Sequence, residues 1–324
     1  MNDDLTNDVS LLDIETARER IAPFVSRTPL SLSHTLSTRL RTNVYLKYEL
    51  LQKTGSFKVR GAFNKALSVG PEARGRGFVA VSGGNHAQAV AYVGAKLGVA
   101  AIIVMPESTP RNYVDATRGY GAEVLFAKDA AQAFDRVASY ERDGWVSIHP
   151  FDDPLVIAGQ GTVGLEILED APEITDLIVS IGGGGFIGGV ATSVKTAKPA
   201  VRIWGVETNG ADAMARALAQ GQPVQMPAIT SIARTLGAPA VSPRTLAMAQ
   251  RYLESVTVVE DSEAVAACVL LLERAKVLTE PAASCTLAAA DRLRDRFSPQ
   301  SHVVLVLCGG NVSLEDLCRF RALN

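Results

Sequence analysis

The residues with the clearest chemical potential lie in four short segments, and the first of them centres on a lysine. In KYELLQKTGSFKVRGA, Lys58 follows Gly55-Ser56-Phe57 and begins a helical pattern. A lysine near the positive end of a helix dipole is driven towards its neutral amine, which is the form that attacks an aldehyde. A solvated surface lysine is the ordinary alternative, and this segment alone does not exclude it.

Two glycine-rich segments follow predicted strands and precede predicted helices, which is the arrangement of an anion-binding turn. SGGNHAQA spans residues 82–89 and GGGGFIGG spans residues 182–189. Backbone N–H groups at such turns bind carboxylates or phosphates. Four consecutive glycines let the main chain wrap closely around an anion, so we expect a phosphate at Gly182–Gly185. The pattern is neither the GxGxxG of dinucleotide folds nor a P-loop.

The fourth segment is LCGGN at residues 307–311, which follows the last apolar run of the chain. A strand that ends beside glycines would place Cys308 at the edge of a cleft. The ordinary alternative for a single cysteine is a small thiol buried in the core.

Apolar runs and helical patterns alternate along the chain, and the rhythm of βαβα predicts parallel sheets with helices on their faces. The predicted strands are 78–81, 101–105, 123–126, 145–148, 177–181, 201–206 and 303–307. The predicted helices are 85–97, 111–120, 130–142, 156–168, 186–195, 211–219, 243–253, 262–275 and 281–292.

Two sheets follow from this pattern, one from about 78–148 and one from about 177–308. We expect a large domain from residues 1–73 and 153–324 and a small domain from residues 74–152. A chain of 324 residues suits such a two-lobed α/β protein. A cleft between the lobes is a natural place for a ligand.

Composition and charge exclude several classes of protein. The net charge is −2 and there is no long basic run, so a nucleic-acid partner is not expected. The acidic start MNDDLTNDVS lacks the basic and apolar parts of a signal peptide. No stretch approaches the roughly 18 apolar residues of a membrane span. We therefore expect a cytoplasmic protein without a membrane partner.

Taken in order, these segments resemble the fold-type II pyridoxal 5′-phosphate (PLP) enzymes of the serine/threonine dehydratase group. That group includes threonine deaminase, serine dehydratase and serine racemase. The resemblance runs from about Ala22 to Phe320 and rests on GSFKVRGA, SGGNHAQA, HPFDDPLVIAGQGT, GGGGFIGG, EPAAS and CGGN. It implies a two-lobed α/β fold similar to the tryptophan synthase β subunit, with each lobe a mostly parallel sheet flanked by helices.

The resemblance also implies roles for individual residues. Lys58 is similar to the Schiff-base lysine and Phe57 to the residue against the cofactor ring. Asn85 would bond the ring hydroxyl, and Cys308 would lie beside the pyridine nitrogen. The phosphate cradle would be formed by Gly182, Gly183, Gly184 and Gly185. The substrate carboxylate would lie on Ser82, Gly83, Gly84, Asn85 and His86. A further family block on the large lobe is matched by Gln160, Gly161 and Thr162.

The residue at the pyridine position favours one type of reaction. An aspartate there would keep the ring protonated and support a long-lived carbanion, whereas the thiol of Cys308 does so less well. A weaker electron sink suits β-elimination, in which the carbanion expels a leaving group at once. We expect the amine of Lys58 to remove the Cα proton of a β-hydroxy amino acid. Water leaves, with the cofactor phosphate implied as its acid, and hydrolysis gives a 2-oxo acid and ammonia.

Racemisation is the nearest alternative within the resembled group. It needs an acid on the opposite face of Cα, where the racemase-like members have a serine before the Gly-Asn pair. This chain has Gly83 there, which favours elimination. Glu207 and Ala211 match the divalent-metal site of the group, but its further carboxylate is replaced by Ala213, with Asp212 adjacent. We therefore expect no metal.

The substrate side chain and the rival activities stay open at this point. Residues 233–235 read Ala-Arg-Thr where many threonine dehydratase relatives have Ala-Asp-Gly. Threonine and serine, a larger substrate such as phenylserine, and 3-hydroxyaspartate paired with Arg234 are the candidates. β-Replacement, as in cysteine synthase relatives, and a protein that binds PLP or an amino acid without turnover are the rival classes. The resemblance also implies a homodimer.

Overall fold

The computed structural model describes residues 9–322, which form two β-sheets flanked by α-helices. The strands are β1 (Leu30–Leu32), β2 (Asn43–Lys47), β3 (Phe78–Val81), β4 (Ala101–Pro106), β5 (Glu123–Ala127), β6 (Val146–Ser147), β7 (Asp176–Ser180), β8 (Arg202–Thr208), β9 (Ser255–Val259) and β10 (His302–Val306).

The helices surround both sheets and connect their parallel strands. They are α1 (Leu11–Ile21), α2 (His34–Leu40), α3 (Lys58–Ser68), α4 (Pro71–Arg76), α5 (Asn85–Leu97), α6 (Arg111–Gly119), α7 (Ala130–Arg142), α8 (Pro154–Asp170), α9 (Gly185–Ala197), α10 (Ala213–Gln220), α11 (Pro243–Tyr252), α12 (Asp261–Leu270), α13 (Pro281–Arg292) and α14 (Leu314–Arg321). Among the described residues, no helix is long and apolar enough to cross a bilayer.

The larger sheet has the strand order β1-β2-β10-β7-β8-β9. Its strands run parallel except β1, which pairs antiparallel with β2. The central strands β7 and β10 are almost entirely buried because helices cover both faces of the sheet. The carboxyl ends of β7 and β10 therefore meet at one edge, and the glycine segments that follow them lie side by side.

The smaller sheet has the order β5-β4-β3-β6, and all of its strands are parallel. β3 and β4 are buried, and their registers pair Val81 with Val104. The loops after β3 and β4 consequently leave the same edge of the sheet next to each other.

The prediction of two mostly parallel sheets in an α/β fold is confirmed. Helices α5, α7 and α13 have the predicted bounds, whereas α9 begins at Gly185 rather than Phe186. The pattern missed β9, whose sequence SVTVV is only half-buried at a sheet edge, and it missed the short β1 and β2. The four-stranded sheet lies inside the predicted small domain of 74–152, and the domain boundaries themselves stay a prediction.

Candidate active site

Lys58 is the first residue of α3, and backbone contacts hold the chain just before it. The N–H of Phe57 donates to the backbone oxygen of Cys308 at 3.2 Å, and Ser56 forms an antiparallel bridge with Gly309. These contacts tie the lysine segment to the CGGN segment after β10. Two segments that are about 250 residues apart in sequence therefore form one wall of the site.

The amine of Lys58 lies in surroundings that favour its neutral form. Its Nζ donates to the Pro150 backbone oxygen at 2.7 Å and lies 5.2 Å from the centroid of the Phe57 ring. Burial lowers the pKa of Lys58 to about 8, against a smaller opposing effect of Cys308 and Glu280. The structure therefore supports the chemical reason for which the sequence singled out this lysine.

A buried ionic cluster fixes the first turn of α3. Arg60 donates to both oxygens of Glu49 at 2.8 and 2.9 Å and to Glu166 at 2.7 and 3.0 Å. Lys47 reaches the same Glu166 at 2.6 Å. Burial alone would lower the pKa of Arg60, but the two carboxylates raise it above its ordinary value. The cluster keeps the guanidinium charged and joins α3 to β2 and α8.

The block Gln160–Thr162 lies on α8 against the same turn of α3. The side-chain oxygen of Gln160 accepts the Gly61 N–H at 3.3 Å, and the Thr162 hydroxyl accepts from Arg60 at 3.2 Å. A β-carbon at Gly61 would lie 2.7 Å from the Val156 backbone oxygen, so the two helices approach closely only because this residue is glycine. The block therefore supports the lysine helix from behind.

The glycine segment after β7 forms the N-terminus of α9. Gly184 has φ of +90°, and Gly185 begins the helix. A β-carbon at Gly185 would lie 2.2 Å from the Phe151 backbone oxygen, and one at Gly183 would lie 2.1 Å from the Phe151 ring. The first N–H groups of a helix lack partners within the helix and favour an anion. The four glycines thus give a close-packed turn with free donors, which suits a phosphate.

The ring of Phe57 stacks on the ring of Phe186, with 3.8 Å between their centroids and 15° between their planes. Phe186 lies in the first turn of α9, so this pair joins the lysine segment to the glycine turn at Gly182–Gly185. The role of Phe57 against a cofactor ring stays a prediction, and the structure adds that one face of its ring is already covered.

Cys308 is buried directly after β10 and keeps its proton. Its Sγ accepts from the Ser180 hydroxyl at 3.3 Å. Burial, with help from the negative charge of Glu280, raises the pKa of the Cys308 thiol to about 12. A neutral thiol carries no negative charge that would keep a pyridine ring protonated. This agrees with the weaker electron sink that the sequence analysis expects from a cysteine at this position.

Residues 82–86 run from the end of β3 into the first turn of α5. The Ser82 oxygen accepts the Gly84 N–H at 3.1 Å, so its own O–H is free to donate. His86 donates from Nε2 to the Ile148 backbone oxygen at 2.7 Å, which leaves Nδ1 unprotonated and without a partner among the described residues. Burial lowers the pKa of His86 to about 3, so the imidazole is neutral at physiological pH.

The sequence interpretation missed the environment of Asn85. Its Nδ2 donates to Glu280 Oε1 at 2.7 Å, and its Oδ1 accepts from Asn311 Nδ2 at 2.8 Å. Thr235 donates to the same Glu280 oxygen at 3.2 Å, and Tyr113 lies 3.5 Å from the other one. Burial raises the pKa of Glu280 to about 7. Glu280 and Asn311 lie in the blocks EPAAS and CGGN, which the sequence analysis singled out without assigning a role to either residue.

The comparisons with known proteins agree with this geometry. The family model described as pyridoxal-phosphate dependent enzyme matches residues 21–309, which include Lys58, both glycine turns and Cys308. The chain belongs to the family of pyridoxal-phosphate-dependent enzymes. Its cofactor is therefore PLP, as the resemblance implied.

Relatives within this PLP family include both lyases and racemases. The L-threonine ammonia-lyase of Geobacter sulfurreducens is 42% identical over 307 residues, covering 94% of this chain and 76% of the relative. Maize serine racemase has a TM-score of 0.91 at 35% identity, covering 96% of each chain. The processed form of threonine deaminase isoform 2 from Solanum lycopersicum has a TM-score of 0.90 at 32% identity, covering 100% of this chain and 90% of the other.

The residues present fit PLP. The turn at Gly182–Gly185 offers backbone donors to its phosphate, and Lys58 offers an amine with a lowered pKa to its aldehyde. The thiol of Cys308 is a neutral partner for the ring nitrogen. No part of this set is a carboxylate that would hold the ring nitrogen in its protonated form.

Glu207 and Asp212, at the position of the family's divalent-metal site, have hydrogen-bond partners within the protein. The carboxylate of Glu207 accepts the backbone N–H groups of Met214 and Ala215 at 2.9 and 2.8 Å and so caps α10. Asp212 is paired with Arg216 at 2.9 Å. Within residues 9–322, no group of three or more His, Cys, Asp or Glu side chains is placed to hold a metal ion.

Proposed function

We propose that this protein is a PLP-dependent ammonia-lyase that converts a β-hydroxy-L-amino acid into a 2-oxo acid and ammonia. The observation that carries the proposal is the pairing of Lys58, an amine with a lowered pKa, with the neutral thiol of Cys308 in one site. The similarity to L-threonine ammonia-lyase over 94% of the chain supports the same reaction.

PLP, when bound, supplies an aldehyde for the substrate amine, a ring that withdraws electrons from Cα, and a phosphate that serves as acid for the leaving hydroxyl. Lys58 takes the Cα proton, because its neutral amine is available near physiological pH and is oriented by the Pro150 oxygen. The Cβ–O bond breaks, and the hydroxyl leaves as water with one proton. Water then hydrolyses the dehydrated product to the 2-oxo acid and ammonia.

The loop at residues 82–86 orients the substrate by its carboxylate. Its donors are the hydroxyl of Ser82 and the N–H groups at the start of α5, which carry the positive end of the helix dipole. His86 is neutral and donates to Ile148, so it adds no charge and gives no proton in the reaction. Asn85 is held by Glu280 and Asn311, and the second N–H of its amide would bond the ring hydroxyl of PLP.

Gly83 supports elimination over racemisation. A racemase must return a proton to the face of Cα opposite Lys58, and a glycine carries no group that can do so. The serine racemase of maize is as similar in fold as threonine deaminase isoform 2 from Solanum lycopersicum. The choice between the two activities therefore rests on individual residues and not on the fold.

Serine and threonine are the proposed substrates. Thr235 packs against the loop at residues 82–86, because its methyl carbon lies 3.2 Å from the position that a β-carbon at Gly84 would take. This close packing favours a compact substrate. The guanidinium of Arg234 is exposed and donates to the Ser108 backbone oxygen at 3.3 Å, which turns it away from a role in binding an acidic side chain.

The test is release of 2-oxo acid from the PLP-loaded enzyme with L-serine, D-serine, L-threonine, threo-phenylserine and threo-3-hydroxyaspartate. Release from L-threonine or L-serine above the other three supports the proposal. Faster interconversion of L- and D-serine than 2-oxo-acid release would overturn it in favour of racemisation. A yellow protein that binds the amino acids and turns over none of them would show a binding protein.

The expected homodimer and cytoplasmic location belong to the same proposal. The expectation of a homodimer rests on the resemblance to the serine/threonine dehydratase group. Light scattering of the purified protein measures the mass directly, and fractionation of the producing cells measures the location. A monomer at micromolar concentration would contradict the dimer.

A further inference from the structure

The hydroxyl of Thr109 is buried and has no hydrogen-bond partner among residues 9–322. Thr109 lies in the loop that joins β4 to α6, where its own N–H donates to the Pro106 oxygen at 3.0 Å. A buried hydroxyl without a partner is unfavourable and uncommon in folded proteins. A threonine that keeps such a hydroxyl beside a binding loop therefore indicates a partner that arrives with the ligand.

The hydroxyl lies against the glycine pair of the substrate loop. A β-carbon at Gly83 would lie 2.6 Å from Thr109 Oγ1 and 3.4 Å from Thr109 Cγ2. The Thr109 side chain thus occupies the volume that a side chain at position 83 would take. The parallel pairing of β3 with β4 brings the two loops together at the carboxyl ends of these strands.

The surrounding groups select an anionic partner. The Ser82 hydroxyl is free to donate because its oxygen accepts the Gly84 N–H, and the N-terminus of α5 begins one residue later at Asn85. The imidazole of His86 is neutral and directed to Ile148. The hydroxyls of Ser82 and Thr109 and the first N–H groups of α5 are hydrogen-bond donors next to Gly83, and such donors fit a carboxylate.

We propose that Thr109 is a substrate-binding residue whose hydroxyl donates a hydrogen bond to the α-carboxylate of the amino acid. The inference rests on the proposed function in so far as the ligand is an amino acid. It assigns to the loop after β4 a part in substrate recognition that the motif SGGNHAQA alone did not suggest. The glycine at position 83 is required because it leaves room for this hydroxyl.

The experiment compares Thr109→Val, which keeps the shape and removes the hydroxyl, with Thr109→Ser, which keeps the hydroxyl. The first readout is equilibrium binding of L-alanine to the PLP-loaded enzyme, followed by its change in visible absorbance. L-Alanine has the carboxylate but no β-hydroxyl. Loss of a hydrogen bond to a charged group weakens L-alanine binding to Thr109→Val about tenfold or more, and Thr109→Ser stays within about twofold of the wild type.

The second readout is binding of 2-aminopropan-1-ol, which is alanine with its carboxylate reduced to an alcohol. Thr109→Val binds this amine as the wild type does if the hydroxyl acts on the carboxylate. An equal loss for the amine and for L-alanine would show a structural role and overturn the proposal. Thr109→Val could instead bind L-alanine as tightly as the wild type and bind L-serine more weakly. This result would place the contact on the β-hydroxyl of the substrate and would also overturn the proposal.

The KM and kcat values separate this inference from the proposed function. Thr109→Val raises the KM for L-serine about tenfold and leaves kcat within about threefold, because the contact is present both before and during the reaction. If the wild type released no 2-oxo acid but bound L-alanine in a way that depends on the Thr109 hydroxyl, the lyase proposal would fail and the binding role would stand.

Discussion

Lys58 Nζ donates a hydrogen bond to the Pro150 backbone oxygen at 2.7 Å. The acceptor is a neutral carbonyl and not a carboxylate, so it directs the amine without stabilising its charge as an ion pair would. Burial then dominates and lowers the pKa of Lys58 to about 8. This combination gives an amine that is both oriented and ready to react with an aldehyde.

The first prediction concerns the identity of the reactive lysine. Lys58→Ala loses the visible absorbance of the lysine-bound PLP, and its kcat falls by at least about 10³-fold, because both the covalent link and the base are removed. Lys53→Ala is the matched control, since Lys53 is exposed and lies in the same segment. A colourless Lys53→Ala beside a yellow and active Lys58→Ala would reverse the assignment.

The second prediction is the pH dependence of cofactor loading. A pKa of about 8 leaves about one tenth of the Lys58 amines neutral at pH 7, whereas the ordinary value of 10.5 leaves about one in 3,000. The rate at which apoprotein forms its link to PLP therefore rises with pH up to about 8 and is nearly constant above it. Stopped-flow absorbance measures this rate, and a rise that continues unchanged to pH 10 would contradict the lowered pKa.

The sequence predicted those parts of the site that lie in continuous segments. Lys58 and Gly182–Gly185 lie at the starts of helices α3 and α9, where residue type and spacing predicted helix starts, and their roles stay predictions. Pro150 and Glu280 could not be placed in this way, because their contacts depend on loops that meet only after both sheets form. The contact of the Thr109 hydroxyl with Gly83 could not be predicted either, because it follows from the pairing of β3 with β4.

The third prediction concerns the close-packed turn at Gly182–Gly185, where we expect the phosphate of PLP. Gly185→Ala would place a β-carbon 2.2 Å from the Phe151 backbone oxygen. The turn must move to relieve this contact, so we expect a loss of about 1–3 kcal/mol in stability and a weaker affinity for PLP. Gly70→Ala is the control, because nothing lies within 4 Å of its β-carbon, and its stability changes by less than about 0.5 kcal/mol. Urea unfolding and titration with PLP measure the two effects, and equal behaviour of both variants would refute the tight turn.

The fourth prediction concerns Glu280 in the apoprotein. Burial raises the pKa of Glu280 from 4.5 to about 7, so the folded state holds the proton more tightly than the unfolded state. The stability from this group is present below pH 4.5 and is lost as the pH rises towards 7. Between pH 5 and pH 8, the free energy of unfolding of the wild type therefore falls by about 2 kcal/mol relative to that of Glu280→Gln.

Urea unfolding of the apoprotein at these two pH values measures the difference between the wild type and Glu280→Gln. The control is Glu273→Gln, which makes the same substitution at an exposed carboxylate. A pH-independent difference for Glu280→Gln would show that the carboxylate is ionised throughout this range.

The last prediction joins Gly83 to Thr109. In Gly83→Ser, the new β-carbon would lie 2.6 Å from Thr109 Oγ1, so the single variant binds the substrate poorly and loses lyase activity by about tenfold or more. In Gly83→Ser with Thr109→Ala, the space is restored and a hydroxyl again faces the substrate, so activity recovers to within a few-fold of Thr109→Ala alone. Lyase and serine racemase activities are measured for the wild type, Gly83→Ser, Thr109→Ala and the double variant. Full activity of Gly83→Ser alone would show that the two side chains do not compete for the same space, whereas racemisation confined to the double variant would show that position 83 controls which face of Cα receives a proton.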